Sequence, residues 1–273
     1  MADKESSPDH TLHVYYTRYS SWGARVTLVI SYFDIPCTVK MYPFAPAVAS
    51  AAAGPPAHLG GSLLPVLQTL SSSPGAEDLL VGDSLAICEF LAERYPGRGL
   101  WPADGELRAR ARAAAAQMHA GFSALRDACA TDFVGRYTGA GIAAAVGPAA
   151  AREARQLVTL WSRARAQTRE RLQRLGAADD GFLFGGFSIA DAFFWPVLWR
   201  FRSYGLPLDG ITADGRAWMA RMWSDTAVRR EAAGYFRQLA EPLSRVAKYD
   251  DVFAGNSDIQ YDRFAEDWTF PAA

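Results

Sequence analysis

The sequence predicts an α/β domain over roughly the first hundred residues, followed by an all-α domain. Three observations carry this reading. Residues 61–96 run from an apolar stretch interrupted by Pro65, through a polar loop and a short strand, into a capped helix. Residues 12–41 read as strand, helix and strand, with a period-2 stretch on either side of helical apolar spacing. Beyond residue 105 the chain is rich in Ala and Arg, and apolar residues recur at helical spacing to about residue 243.

Residues 1–10 read as a loose tail. Leu12 to Tyr16 is β-branched and aromatic, as a strand requires, and Ala24 to Phe33 places apolar residues at 26, 29, 30 and 33. Asp34-Ile35-Pro36 is a turn, and Cys37 to Met41 alternates as a second strand. A Pro/Ala/Gly-rich connection, Tyr42 to Gly61, leads into LLPVL. Proline cannot donate to a sheet ladder, so Pro65 marks either a cis bond or an edge position at the mouth of a strand. Thr69 to Asp78 is a polar loop, Leu79 to Val81 a short strand, and Leu85 to Tyr95 carries a helical apolar stripe ended by Pro96-Gly97. The order β-α-β, β-β-α is the thioredoxin-like plan. The domains expected are therefore a 1–10 tail, a thioredoxin-like domain 11–97, a linker 98–105 with two turn signals, a helical domain 106–248, and an extension 249–273.

In the second domain a helix is expected from Glu106 to about Ala130, and another from Ala149 to Leu175. Ser188 and Asp191 form a relative of the capping box, opening the almost wholly apolar helix AFFWPVLWR; their role is folding. Further helices lie between Ala217 and Leu243. The acidic and aromatic tail after Tyr249 either packs over a cleft or, as the favoured expectation, braces the outer surface. GAGIAAAVGP (139–148) superficially suggests a nucleotide loop, but it lacks a preceding strand, a third glycine in register and a following Lys.

Composition removes several classes of function. With 28 basic and 29 acidic residues among 273, the net charge is −1, so no field favours nucleic acid or an anionic membrane. No apolar run is long enough to span a bilayer. The start, MADKESSPDH, lacks the layout of a signal peptide. Cys37, Cys88 and Cys129 are odd in number and far apart, as expected of free thiols in a reducing compartment. No second His stands at ligand spacing from His119, so no metal is expected. A cytoplasmic protein without membrane or nucleic-acid partners is the expectation.

Two places carry chemistry. Ser20 and Ser21, in YSSW, stand at a helix start, where unpaired N–H groups and the positive dipole end favour an anion; a thiol placed there ionises more readily. Either serine could equally be a plain N-cap. Asp83-Ser84 opens the next helix, where an ammonium would meet a carboxylate and a carboxylate would meet helix N–H groups; capping is again the simpler alternative.

Five motifs in this order, YSSW, LLPVL, GDSLAICEFLAERYP, QMHAGF and FSIAD, resemble the cytosolic glutathione transferases over roughly residues 12–243. They resemble the serine-type bacterial and fungal Tyr-Ser-Ser-Trp group most, and are similar to the zeta-class Ser-Ser-x-x-x-Arg-Val pattern. The resemblance implies the glutathione transferase fold, a homodimer, and glutathione as co-substrate with no metal. It implies that Ser20 or Ser21 activates the glutathione sulfur; Gly23-Ala24-Arg25-Val26 replaces the usual Ser-Leu-Arg-Pro and leaves the choice between them open. It further implies that Leu64 pairs with the cysteinyl backbone beside a cis Pro65, and that Asp83 and Ser84 take the γ-glutamyl amine and carboxylate. Trp22, Met118, His119, Phe122 and Arg126 would border the pocket of the second substrate, a small hydrophobic electrophile, although His119 could as well be a packed or surface residue. Leu63 stands where many members carry Lys or Arg, and the Gln68–Asp78 hairpin is long, which implies weaker glutathione affinity. The implied activity is glutathione transfer, with detoxification as its setting. The alternatives are a zeta-type cis–trans isomerase, whose dianionic substrate would call on Arg18, Arg25 or Arg126, and a non-catalytic binding or scaffolding protein on the same fold.

Overall fold

The computed structural model describes residues 9–44, 54–59, 63–73 and 75–266. Most of the expected tail, the middle of the 42–61 connection and the last seven residues of the expected extension lie outside the described residues. β1 (His10–Tyr15), α1 (Ser21–Tyr32) and β2 (Thr38–Tyr42) form the first unit; β3 (Val66–Thr69), β4 (Leu79–Gly82) and α2 (Ser84–Arg94) form the second. The sheet order is β2-β1-β3-β4, with β1 and β2 parallel and the other two pairs antiparallel. Leu12 sits opposite both Val39 and Leu67. Leu12, Val14 and Leu67 face Ala24, Leu28, Ile87 and Leu91 of the two helices in one buried core. Alternation puts His13 on the other face, where its ring bonds the Tyr42 hydroxyl and Gln68.

The second domain is helical: α3 (Gly105–Ala120), α4 (Ser123–Ala128), α5 (Ile142–Leu175), α6 (Ile189–Tyr204), α7 (Ala213–Ser224), α8 (Thr226–Arg237) and the short α9 (Ala247–Asp250). The helix expected to run unbroken to Ala130 is interrupted at Gly121 and Phe122, the latter at φ +57, so α4 turns away from α3. The helix expected from Ala149 begins seven residues earlier and bends at Gly147 (φ +73), ahead of Pro148, whose missing N–H breaks the ladder there. α6 is the axis of the domain: every residue in it but Arg202 is buried, and it packs against both α1 and α3.

What fixes the start of α6 is Asp191. One carboxylate oxygen accepts from the Ser188 N–H (2.9 Å) and hydroxyl (3.0 Å), the other from the Leu183 N–H (2.9 Å) and the Trp218 indole N–H (2.9 Å). Burial pushes this carboxyl above its ordinary value, against the pull of those four donors.

The C-terminal segment does more than brace the outside. β5 (Gly135–Thr138) pairs with β6 (Gln260–Arg263), which is the bracing the sequence suggested. The glycines of the 139–148 stretch make room for it. A Cβ on Gly139 (φ +127) would come within 2.2 Å of the Asp258 carbonyl oxygen, which itself accepts from the Gly141 N–H at 3.1 Å. Upstream, Tyr249 and Asp250 reach the interdomain cleft.

Candidate active site

The turn between β1 and α1 is held from all sides. The Arg18 N–H donates to the Gln238 side chain (2.9 Å), whose amide donates to the Thr17 hydroxyl (2.8 Å), and the Arg18 carbonyl accepts from the Phe133 N–H (3.1 Å). The Arg18 guanidinium and the Tyr19 hydroxyl both bond Asp250, which Arg245 also reaches at 2.7 Å. Burial would raise the Asp250 carboxyl, but Tyr19, Arg245 and Arg18 outweigh it and hold it below the usual value. Asp132 lies 3.7 Å from Arg18; burial prevails there and raises its pKa. Arg18, a candidate for holding a dianion, is thus committed to two carboxylates at the back of the turn.

This clamp delivers Ser20 to the N-cap of α1. Its Oγ accepts from the Gly23 N–H (3.3 Å), so its own proton stays available as a donor. Gly23 allows α1 to approach β1 this closely: a Cβ there would lie 3.3 Å from Val14. Ser21 occupies the first helical position. Both hydroxyl residues are buried, but they face differently, because Ser20 lines two adjoining cavities and Ser21 only the second.

The first cavity, about 700 Å³, is the thioredoxin-like domain's own. Ser20, Trp22, Tyr15 and Phe44 form one wall; Leu63, Leu64, Pro65, Asp83 and Ser84 form the other. The Leu64–Pro65 bond is cis. Asp83 caps α2 by accepting from the Leu85 (2.8 Å) and Ala86 (3.1 Å) N–H groups, while its backbone sits at φ +71, ψ 134. For a residue with a side chain that conformation costs on the order of 1–3 kcal/mol and tends to mark a functional position. Ser84, next along, is 1 % exposed, and its hydroxyl has no hydrogen-bond partner. Leu63 is 85 % exposed at the rim.

The second cavity, about 340 Å³, lies between the domains. It shares Ser20, Trp22 and Phe44 with the first, and adds Tyr19 from the turn, Ser21 from the start of α1, Arg126, Asp127, Ala130 and Thr131 from around α4, Arg200 from α6 and Tyr249 from the C-terminal segment. The guanidiniums of Arg126 and Arg25 lie 4.6 and 4.7 Å from the Trp22 ring centre. Among the described residues, Arg25, Arg126 and Arg200 make no ion pair with a carboxylate. Arg200 is satisfied by the Cys129 (2.8 Å) and Pro196 (3.1 Å) carbonyls, whereas Nε and Nη1 of the fully buried Arg25 have no partner. Burial first, then the neighbouring arginines, bring Arg25 down to about 9; burial brings Arg200 to about 10. Both stay cationic at neutral pH.

His119 lines neither cavity but touches residues that do. Its Nε2 is 3.2 Å from the free oxygen of Asp83, its ring packs edge-on against Trp22, and burial, ahead of the opposing pull of Asp83, lowers its pKa. Of the remaining residues assigned to the second-substrate pocket, Met118 is 0 % exposed in the common core and Phe122 is buried in the break before α4; neither lines either cavity. Tyr15, Phe44, Thr131, Arg200 and Tyr249 were not singled out from the sequence. None carries a local motif, and only the tail's aromatic content hinted at Tyr249. The described cysteines are all free, and among the described residues no group of three or more His, Cys, Asp or Glu could hold a metal ion. Nor is any described helix long and apolar enough to cross a membrane.

Residues 19–94 match the family model of the glutathione S-transferase N-terminal domain. No curated protein matches the sequence. Among solved structures, Ure2p in complex with glutathione superposes with a TM-score of 0.60 at 20% identity, over 85% of this chain and 96% of that one. A Burkholderia glutathione transferase homologue with bound glutathione gives 0.54 at 18%, over 84% and 98%. Maleylacetoacetate isomerase from Anaeromyxobacter dehalogenans, with bound dicarboxyethyl glutathione and citrate, gives 0.50 at 22%, over 83% and 91%. At these identities the likeness is one of fold. A thioredoxin-like domain whose core matches the transferase N-terminal family, carrying a helical domain arranged as in these structures, gives this chain the glutathione transferase fold.

Proposed function

We propose that the protein is a glutathione transferase of serine type, with Ser20 as the residue that activates the sulfur. The observation that carries this reading is the Ser84 hydroxyl, buried and unpartnered at the start of α2, in the same cavity as Ser20 and the cis Leu64–Pro65 bond. A buried hydroxyl without a partner costs about 1–3 kcal/mol, a cost removed when a ligand carboxylate accepts from it at the positive end of α2. Asp83 offers charge to the neighbouring ammonium. Leu64, ahead of Pro65, offers backbone pairing to the peptide between the two ends.

A tripeptide held in this way brings its sulfur to the edge that both cavities share, at Ser20 and Trp22. The Ser20 hydroxyl, steadied by Gly23, donates to the sulfur at the positive end of α1. Lowering a thiol pKa by two units needs about 2.7 kcal/mol, within reach of one hydrogen bond to a charged group plus a helix terminus. Nucleophilicity falls as the pKa falls, so an ionisation near ambient pH serves best. The thiolate then attacks an electrophile in the second cavity. Ser21 faces that cavity alone and takes no part in ionisation. A homodimer, as typical of this fold, is part of the same reading.

A second reading, a non-catalytic glutathione-binding protein, draws on the His119–Asp83 pair, which already occupies the carboxylate oxygen meant for the ammonium. One experiment separates the two: retention on immobilised glutathione, followed by ultraviolet titration of the bound thiol. Retention with thiolate present at pH 7, lost in Ser20→Ala, supports the transferase. Retention with an unshifted thiol supports the binding protein, and no retention overturns both.

A further inference from the structure

The second cavity has a charge pattern that the thiol chemistry does not explain. A site that only accommodates an apolar electrophile has no use for arginines, yet Arg126 and Arg200 both line this one. Arg25 stands against the same Trp22 ring with two nitrogens unpartnered. Three guanidiniums cluster there, and the one carboxylate in the lining, Asp127, is solvent-exposed and pairs with none of them. Burying cations is unfavourable and drives the pKa values of all three arginines down; for the half-buried Arg126 this outweighs the opposing pull of Asp127 and Glu153. An anion entering the cavity reverses that penalty.

The opposite wall is aromatic. Tyr249 lies 5.7 Å from Phe44 (ring centres, edge-to-face) and 5.8 Å from Tyr19, and it reaches this position because Asp250, the next residue, is tied to Arg18, Tyr19 and Arg245. Trp22, shared with the first cavity, closes the inner end.

We propose that the second cavity selects a planar, conjugated electrophile bearing a carboxylate, with the carboxylate on Arg126 and the ring or double bond against Tyr249, Phe44 and Trp22. This rests on the transferase reading and names its substrate class. Arg126 is the charge reader, because it lines the cavity and its recorded bonds, to the His119 and Gly121 carbonyls at 3.4 and 3.3 Å, are long. Tyr249 is the size reader, supplied by a segment outside the region that resembles the transferases. With an aryl chloride as electrophile, the thiolate forms the C–S bond, the C–Cl bond breaks with its electron pair leaving on chloride, and the thiol proton has already passed to solvent.

The test uses two isosteric probes, 4-chloro-3-nitrobenzoate and its neutral amide. Their binding to the full chain without glutathione is followed by calorimetry. The benzoate is expected to bind at least about tenfold more tightly, the range of one hydrogen bond to a charged group. Arg126→Gln should erase the gap and Arg126→Lys should keep most of it, while Tyr249→Leu should weaken both probes about equally. Equal affinities in the wild type, no binding of either probe, or a gap that survives Arg126→Gln would overturn the proposal. Should Arg126→Gln fail to fold, the wild-type gap and its loss in high salt decide alone. Glutathione retention is scored separately. A gap without retention sinks the transferase reading and leaves only the carboxylate selectivity of the cavity, and retention without a gap does the reverse.

Discussion

The two cavities meet at Ser20, Trp22 and Phe44, yet they are built on opposite principles. The first takes most of its polar equipment from two neighbouring stretches, 63–65 and 83–84, and relies on backbone geometry: a cis bond, a helix start and an unusual φ at Asp83. The second takes side chains from five separate parts of the chain and relies on their charge and shape. A backbone-built site resists sequence drift because almost any side chain can supply a backbone. A side-chain-built site changes with each substitution. The first therefore carries what the fold shares, and the second what this chain does on its own account.

The largest expected effect tests how far the second cavity depends on the C-terminal segment. Asp250→Ala leaves the Arg18 guanidinium buried beside Asp132 alone. Breaking such a pair costs about 3–5 kcal/mol, read as a lower urea midpoint, and the loss should be accompanied by easier proteolysis after residue 244. Unchanged stability would mean that the Asp250 bonds do not hold the C-terminal segment to the first domain. Next, Ser20→Ala should lower kcat/KM about a hundredfold and raise the pKa of the bound thiol, as loss of one donor to a developing anion does, while Ser21→Ala should change either by less than about threefold. The reverse ranking would exchange their roles. Ser84→Ala is smaller again: glutathione Kd should rise about tenfold, by the same factor whichever electrophile is present, because the effect belongs to the first cavity. A factor that depends on the electrophile would blur the division between the cavities.

The smallest effect is one of pH. His10, His13 and His119 all titrate below their ordinary value of 6.5, chiefly through burial. The unfolded chain then binds protons that the folded chain refuses. Their contribution is complete above pH 6.5 and declines as the pH falls through 6.5 toward the lower folded values. The melting temperature should fall on acidification across that window. Replacing His119 with Gln should flatten the fall slightly, and a melting temperature that rises there would contradict the assignment.

Much of the first cavity was legible because its signals are local. A proline inside an apolar run, and Asp-Ser ahead of a helical stripe, each say what the backbone must do within a few residues. The Ser188–Asp191 helix start was legible for the same reason. Arg200 and Tyr249 were not, because nothing within ten residues of either distinguishes a cavity wall from core or surface; only the packing of α6 against α1, and the ionic knot at Asp250, place them. Met118 shows the converse error. Its spacing is that of a buried stripe, which is where it lies, and the resemblance alone had drawn it towards the pocket. Arg18 is similar: chemically suited to an anion, it is spent on Asp132 and Asp250.

The bond from Arg18 to Asp250 spans 232 positions of the chain. At a translation rate of about 5–20 residues per second, its two halves leave the ribosome roughly 10–50 seconds apart. During that interval Asp132 emerges first, and Arg18 still lacks the second of its two carboxylate partners. A chain cut before Tyr249 would keep the four-stranded sheet of the first domain but lack both the lock on Arg18 and the ring that closes the second cavity.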